Sequence, residues 1–392
     1  MRDFIPYGRQ SIEQEDIDAV IDVLKSDFLT QGAKVPEFEV AMASYCGAQH
    51  AVAVNSATSA LHIAYLALGV KEGDCVWTSP ITFVATSNAA LMCGASVDFV
   101  DIDPATFNMC LDSLERQLVE ASVSGHLPKV VVPVHMAGQS CDMQRLAGLA
   151  SKYGFFIVED ASHAVGGSYK FNKVGSCAFS DITVFSFHPV KIITTGEGGM
   201  ALTNDRVLAD KMALLRSHGV TRDASQLEKS NPDLWYYEQL DLGYNYRMTD
   251  IAAALGISQL QRLDQFVSSR HKIAKRYDES LANLPVITPA QNEYAISSYH
   301  LYIIQLQHEL ADIRGHVFDY LRSAGIGVNL HYIPVYLQPY YARLGFTPGY
   351  CPNAERYYEQ CISLPMFTEF RKEQQEFVVD RIACGIEKCV SQ

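Results

Sequence analysis

Lys191 follows the run Thr183-Val184-Phe185-Ser186-Phe187-His188-Pro189-Val190 and precedes Thr194-Thr195-Gly196-Glu197-Gly198-Gly199. A strand-like stretch ends at a small hydroxyl, Ser186. The lysine comes five residues later, before a glycine-rich turn. Upstream, Phe155-Phe156-Ile157-Val158-Glu159-Asp160 is an apolar run that ends in acid. A lysine and an acid fixed by one sheet are the two groups that pyridoxal phosphate chemistry requires. The amine condenses with the cofactor aldehyde, and the carboxylate keeps the ring nitrogen protonated so that the ring can take up electrons. Most lysines are solvated, but this one is flanked by Val190, Ile192 and Ile193. Burial would lower its pKa and favour the neutral amine.

Other segments supply the remaining parts, each with a plainer reading beside it. Asn55-Ser56-Ala57-Thr58-Ser59 joins a strand to a helix, where small residues and the helix dipole suit a phosphate. An ordinary capped helix has the same look. Phe83, after Pro80-Ile81-Thr82, can stack on a planar ring or simply fill the core. Asp160 can pair with a pyridinium nitrogen, and His163 can contact the ring or its phenolic oxygen. A helix cap with a satisfied histidine is the alternative. Asn245 and Arg247 stand among aromatics before a helix and suggest an anion contact, conceivably from a neighbouring subunit. Asn329-Leu330-His331-Tyr332-Ile333-Pro334 is weak alone. No metal-ligand spacing, phosphate-binding P-loop or dinucleotide glycine motif occurs.

These residues need a scaffold, and the chain alternates suitably. Strands are predicted at 51–54, 76–78, 97–100, 129–134 and 155–158. Helices are predicted at 58–68, 84–92, 109–121 and 143–153. The alternation implies parallel βαβ units with a covered sheet and ligands at the strands' carboxyl ends. Ser56, Asp160 and the 186–191 stretch all fall at such ends. Further on, helices are expected at 251–266, 270–281, 314–324 and 374–388, with a strand at 299–306. A large domain is placed at 1–261 and a smaller α+β domain at 262–392. The polar stretch 221–237 reads as a loop.

The 392 residues allow two domains, and 48% hydrophobic content gives ample core. A net charge of −13 disfavours nucleic acid and anionic membranes as partners. No signal-peptide core or membrane-length apolar run is present, and the ten cysteines show no CxxC pair. Free thiols in a reducing cytoplasm are the expectation.

Together, in this order, the motifs resemble the DegT family of sugar aminotransferases over nearly the whole chain. The resemblance implies the fold-type I architecture of aspartate aminotransferase. It implies pyridoxal 5′-phosphate held by Thr58, Ser59 and Ser186, stacked by Phe83, paired to Asp160 with His163 nearby, and joined to Lys191. It implies a homodimer in which Asn245 crosses the interface. Ile5-Pro6-Tyr7-Gly8-Arg9-Gln10, Asp27-Phe28-Leu29-Thr30-Gln31-Gly32 and the stretch from Val328 to Tyr341 look like the subgroup serving pseudaminic acid synthesis. There the acceptor is a UDP-4-keto-6-deoxy-N-acetylhexosamine and the donor L-glutamate. On that resemblance Tyr7, Leu29, Thr30, Gln31, Gly32, Ser59, Ser186, Asn245, His331, Tyr332, Ile333 and Pro334 line the sugar-nucleotide site. Three alternatives stand beside it: another nucleotide-keto-sugar, a sugar dehydratase, and a cofactor-binding regulator. The dehydratases of this fold carry histidine in place of the lysine, which Lys191 opposes.

Overall fold

The computed structural model describes residues 4–230 and 233–390. Its centre is a seven-stranded sheet. The strands are β1 His50–Val54, β2 Cys75–Thr78, β3 Ser96–Phe99, β4 Val130–Val132, β5 Phe156–Asp160, β6 Ile182–Ser186 and β7 Gly199–Thr203. Their spatial order is β1-β7-β6-β5-β4-β2-β3. From β6 to β3 every pairing is parallel. β7 alone runs against both its neighbours, β6 and β1. Every residue of β6 and β7 is buried, as a sheet covered on both faces demands. Helices Ala57–Ala67, Ala85–Met92, Leu111–Ser124 and Met143–Tyr153 make the crossovers.

A second, antiparallel sheet pairs Tyr302–Leu306 with Val286–Ile287 and Cys361–Leu364. Helices Arg314–Ser323 and Lys372–Val390 cover it through Val317, Leu321, Val378 and Ile382. Helix Leu263–Leu281 serves both cores. Leu263, Phe266 and Val267 pack with the large sheet, and Ile273, Tyr277 and Leu281 with the small one. The amino-terminal segment crosses over too, since Ile5 bridges Ile326 and joins the small core.

Three expectations about elements are corrected. Helices were expected at 251–266 and 270–281. The break falls instead at Gln261–Arg262, between Asp250–Leu260 and the unbroken Leu263–Leu281. Nothing in Phe266-Val267-Ser268-Ser269-Arg270 stops a helix, whereas Gln261 N and Arg262 N turn back three residues to Ser258 O and Gln259 O and close the first helix. Met109 is not helical. It bridges Ile102, and the helix starts at Leu111. The expected strand at 299–306 begins only at Tyr302, because Tyr299 takes a left-handed φ of 49°. The described residues of 222–237 form the expected loop, and strands Val220–Thr221 and Glu238–Gln239 pair on either side of it. All ten cysteines are free thiols. Among the described residues no helix is long and apolar enough to cross a membrane.

One buried carboxylate fastens distant parts of the chain. Asp250 is 1% exposed. Its Oδ2 accepts from Gly32 N at 2.6 Å, and its Oδ1 from Lys34 N at 2.8 Å and Val35 N at 3.1 Å. It therefore caps helix Lys34–Cys46, whose own N-cap residue, Ala33, offers no side-chain acceptor. A Cβ on Gly32 would stand 3.1 Å from Asp250 Oδ2 and 2.8 Å from Phe28 Cβ, so the residue is small by necessity. Replacing Asp250 with Ala strands three N–H groups, two of which start a helix. We expect a loss of roughly 2–4 kcal/mol in urea unfolding. A change within 0.5 kcal/mol, about the scatter of a neutral surface substitution, would show that water replaces the carboxylate without cost.

Candidate active site

The parallel strands deliver their carboxyl ends to one cavity of about 840 Å³. Asp160 closes β5, Ser186 closes β6, and β1 leads into helix Ala57–Ala67 at Ser56. Ser56 caps that helix by accepting from Ser59 N at 3.1 Å. Ser59 Oγ donates to Asn55 Oδ1 at 2.6 Å. The N-terminal turn, with Ser56, Thr58 and Ser59, faces the cavity. This is an anion site in waiting, with free helix N–H groups and several hydroxyls. Gly199 makes it possible. A Cβ there would lie 2.4 Å from the backbone carbon of Ser56 and 2.5 Å from Ala57 N. No other residue lets β7 pass so close under the turn.

Asp160 is 5% exposed and firmly aimed. Ser162 N donates to its Oδ1 at 3.1 Å, and Thr86 Oγ1 to its Oδ2 at 2.7 Å. Thr86 has a single hydroxyl proton. If that proton goes to Asp160, Thr82 Oγ1, 2.7 Å away, must donate to Thr86. The chain Thr82 to Thr86 to Asp160 thus holds the carboxylate from the side of helix Ala85–Met92. On the opposite face of β5, Glu159 is buried and accepts from His135 Nε2 at 2.6 Å and Thr183 Oγ1 at 2.8 Å. Cys141 N donates to His135 Nδ1, and the ring gives its Nε2 proton to Glu159. Burial alone would raise the Glu159 pKa, but these donors outweigh it and hold it below the ordinary range.

Lys191 lies in the turn after β6, beside Asp160 and His163 in the cavity wall. Burial pulls its pKa down to about 8, with the Asp160 charge acting the other way. A far larger fraction of the amine is therefore neutral near physiological pH than for a solvated lysine, although the ammonium still predominates below pH 8. The neighbouring histidines stay uncharged. Burial, aided by the Lys191 charge, holds His163 and His300 well below the usual histidine range and brings His331 to about 3. His163 Nε2 lies 3.1 Å from the Tyr332 hydroxyl, and His331 Nδ1 lies 2.8 Å from Ser363 Oγ. Burial pushes the Tyr332 and Tyr7 hydroxyls up, so both stay protonated.

The cavity brings together Tyr7, Thr58, Ser59, Phe83, Asp160, His163, Ser186, Lys191, His331 and Tyr332. Phe83 stands 61% exposed at its edge, available for stacking. Leu29, Thr30, Gln31, Gly32, Asn245, Ile333 and Pro334 do not line it. Asn245 is exposed and gives its backbone oxygen to Asn55 Nδ2 at 3.3 Å. Pro334 and its neighbours hold the wall from behind, with Val335 N donating to Pro80 O. Sequence reasoning singled out neither Thr86 nor His300, and it quoted Asn329 and Glu197 only within longer runs. The one visible signal was the four-residue spacing of Thr82 and Thr86, though Thr82 lies before helix Ala85–Met92.

The arrangement can hold a phosphorylated, planar, electrophilic ligand. It has an anion site, an aromatic edge, a fixed carboxylate and an amine of lowered pKa around one space. A family model described as the DegT/DnrJ/EryC1/StrS aminotransferase family matches residues 10–383. The UDP-4-amino-4,6-dideoxy-N-acetyl-beta-L-altrosamine transaminase of Campylobacter jejuni is 43% identical over 385 residues, 98% of each protein. The Helicobacter pylori aminotransferase involved in the biosynthesis of pseudoaminic acid matches with a TM-score of 0.90 at 32% identity, over 98% of this chain and 100% of that one. A putative sugar aminotransferase of Streptococcus pneumoniae, solved in its PLP form, matches with a TM-score of 0.89 at 31% identity, over 98% and 99%. The mostly parallel sheet with its strand-end cavity is the fold-type I architecture, and the chain belongs to the DegT/DnrJ/EryC1/StrS aminotransferase family.

Proposed function

We propose that the protein is a pyridoxal phosphate-dependent aminotransferase moving an amino group from L-glutamate to C4 of a UDP-4-keto-6-deoxy-N-acetylhexosamine. The product is the 4-amino sugar that the Campylobacter relative's name describes. The observation that carries the reading is the convergence of Lys191, Asp160 and the Ser56–Ser59 helix turn on one cavity. Pyridoxal phosphate, when bound, supplies an aldehyde that accepts the amine and a ring that takes up the electrons released. The turn at Ser56–Ser59, with Ser186, would hold its phosphate. Asp160, oriented by Thr86 and Ser162, would hold a proton at the ring nitrogen. His163 would face the ring beside it. Lys191 Nζ would hold the cofactor through its aldehyde, and as a free amine it would move the proton off the donor α-carbon and, in the second half-reaction, deliver a proton to C4 of the sugar. Its low pKa serves both tasks, since an ammonium can do neither the attack nor the abstraction.

The second substrate reading is another nucleotide-linked 4-keto-6-deoxy sugar, either the D-xylo epimer or a dTDP sugar. Tyr7, His331 and Tyr332 stand in the wall, where they would meet the sugar. We further propose a homodimer. Asn245 is exposed outside the cavity of its own chain, and Trp235 and Leu242 nearby are 74% and 71% exposed. A second copy would cover that apolar surface and bring Asn245 to a cavity.

Lys191→Ala is expected to reduce transamination by on the order of a thousandfold or more while pyridoxal phosphate still binds noncovalently. Near-normal turnover would end the assignment. In the wild-type protein stripped of cofactor, the rate of reaction with pyridoxal phosphate should rise with pH around a midpoint near 8. A midpoint near that of an ordinary lysine, about 10, would mean that the amine is solvated. For the sugar, the glutamate-reduced enzyme is mixed with each C5 epimer of the UDP-keto-sugar and the return of cofactor absorbance is followed. Return with the L-arabino epimer and little with D-xylo supports the proposal, and the reverse moves the enzyme to the D-sugar branch. Sedimentation under assay conditions should show a dimer. A fully active monomer would contradict the role given to Asn245.

A further inference from the structure

Asn55 lines the cavity beside the anion turn, and the roles assigned above leave its carboxamide out. Three hydrogen bonds fix the residue. Its backbone N donates to Tyr246 O at 2.8 Å, its Nδ2 donates to Asn245 O at 3.3 Å, and its Oδ1 accepts from Ser59 Oγ at 2.6 Å. The segment that carries both carbonyls is itself pinned. Tyr246 N donates to Arg216 O at 3.0 Å, the Tyr246 hydroxyl lies 3.1 Å from His62 Nδ1, and Arg247 bridges Val54.

The way round the carboxamide sits follows from its partners. A backbone carbonyl only accepts, so Asn245 O requires the amide nitrogen on its side. A reversed carboxamide would set two oxygens against each other there. Oδ1 therefore faces Ser59, and this oxygen too can only accept. The Ser59 hydroxyl has one proton, and that proton goes to Asn55. Ser56 Oγ lies 2.9 Å from Ser59 Oγ and already accepts from Ser59 N at 3.1 Å. Of the two serine hydroxyl protons at the turn, only that of Ser56 remains for the cavity.

We propose that Asn55 is a positioning residue that withholds the Ser59 proton from an anion at the turn. For Ser59 to donate to a phosphate oxygen, its bond to Asn55 must break. The carbonyl of Asn245 keeps the carboxamide from turning round to donate in compensation. Without the carboxamide, Ser59 donates to the anion directly, or donates to Ser56, which then turns its own proton to the cavity. Either route adds one charge-assisted hydrogen bond to the anion. The turn does not need the carboxamide for its shape. Its backbone is held by Ser59 N on Ser56 Oγ, Ala60 N on Ser56 O at 3.1 Å and Asn55 N on Tyr246 O. The hold of the turn on a phosphate group is thus moderated by the segment 244–247, which is remote from it in sequence. The inference rests on the reading of Ser56–Ser59 as the phosphate site, and on neither the sugar nor the amino donor.

The test is titration of the full-length, cofactor-free protein with inorganic phosphate, followed by NMR at the backbone amide of Thr58 in threonine-labelled protein. Asn55→Ala is expected to tighten phosphate about fivefold, the equivalent of one net hydrogen bond. Ser59→Ala should abolish that gain, so that the double variant binds phosphate as Ser59→Ala alone does. A merely structural Asn55 would loosen phosphate on substitution, or would act alike with and without the Ser59 hydroxyl. Either result overturns the proposal. The wild-type protein gives a second reading that depends on no variant's folding. The Asn55 side-chain carbonyl resonance should shift as phosphate saturates the turn, because Ser59 leaves its oxygen. A carbonyl signal that stays in place while the Thr58 amide moves overturns the proposal, and so does a Thr58 amide that ignores phosphate. None of these measurements involves Lys191 or turnover, so their failure and the failure of the aminotransferase reading, tested by Lys191→Ala, are separate results.

Discussion

Asp160 ends the strand that lies fourth of seven in the sheet, with three strands on either side. That central register is the constraint around which the site is arranged. A carboxylate at the carboxyl end of the middle parallel strand has neighbouring strand ends on both sides. β6 supplies Ser186 and the turn to Lys191, and Pro133, just past β4, accepts the backbone N–H of Asp160. A one-residue slip of β5 would turn Asp160 to the opposite face, where Glu159 now sits with His135. The alternation of a strand thus separates two adjacent acids. One is satisfied inside the core, and one is left facing the cavity with acceptor capacity to spare.

The electrostatics follow from the same burial. The charged groups lining the cavity are few: Lys191, Asp160 and Glu197, beside four histidines. Three of those histidines, His163, His300 and His331, are held neutral by burial near the lysine. Arg270 is buried behind His300 and bonded only to carbonyl oxygens, and burial draws its pKa down to about 10. It stabilises the turn without presenting a guanidinium to the cavity. A lysine of lowered pKa beside one acid and several neutral imidazoles suits chemistry in which one amine must attack, leave and shuttle a proton. A ring of cations would hold the same lysine neutral but would also bind anions indiscriminately.

Local chemistry is what the sequence displays. Lys191, Asp160, Ser186 and the Ser56–Ser59 turn each announce themselves within a few residues, because a strand end and a helix start leave a compositional mark. The alternation of strands and helices up to Asp160 was legible for the same reason. His300 and Asn329 were not, since their place in the wall depends on the small sheet packing against the large one. Thr86 was hidden because a threonine in a helix's first turn looks like any other. The reversed direction of β7 had only Gly198-Gly199 to signal it, and the need for that glycine appears once Ser56 lies 2.4 Å from where a Cβ would be. The break at Gln261–Arg262 escaped notice because no proline or glycine marks the tight turn that closes the helix there.

The segments that do not line the cavity have a physical relation of their own. Leu29–Gly32 and Asn245 are far apart in sequence, yet Asp250 and its neighbours join their surroundings. Thr30 bridges Thr249, Leu29 O accepts Asp250 N, and Gly32 N donates to Asp250 Oδ2. Asn245 is five residues before Asp250, and it bridges Ser217 while Arg247 bridges Val54. The two segments therefore belong to one stitched surface. A displacement of either strains the same carboxylate, so they approach or leave a ligand together. In the proposed homodimer, such a surface would present several side chains to the neighbouring cavity in fixed relation, sparing binding the entropy of ordering them.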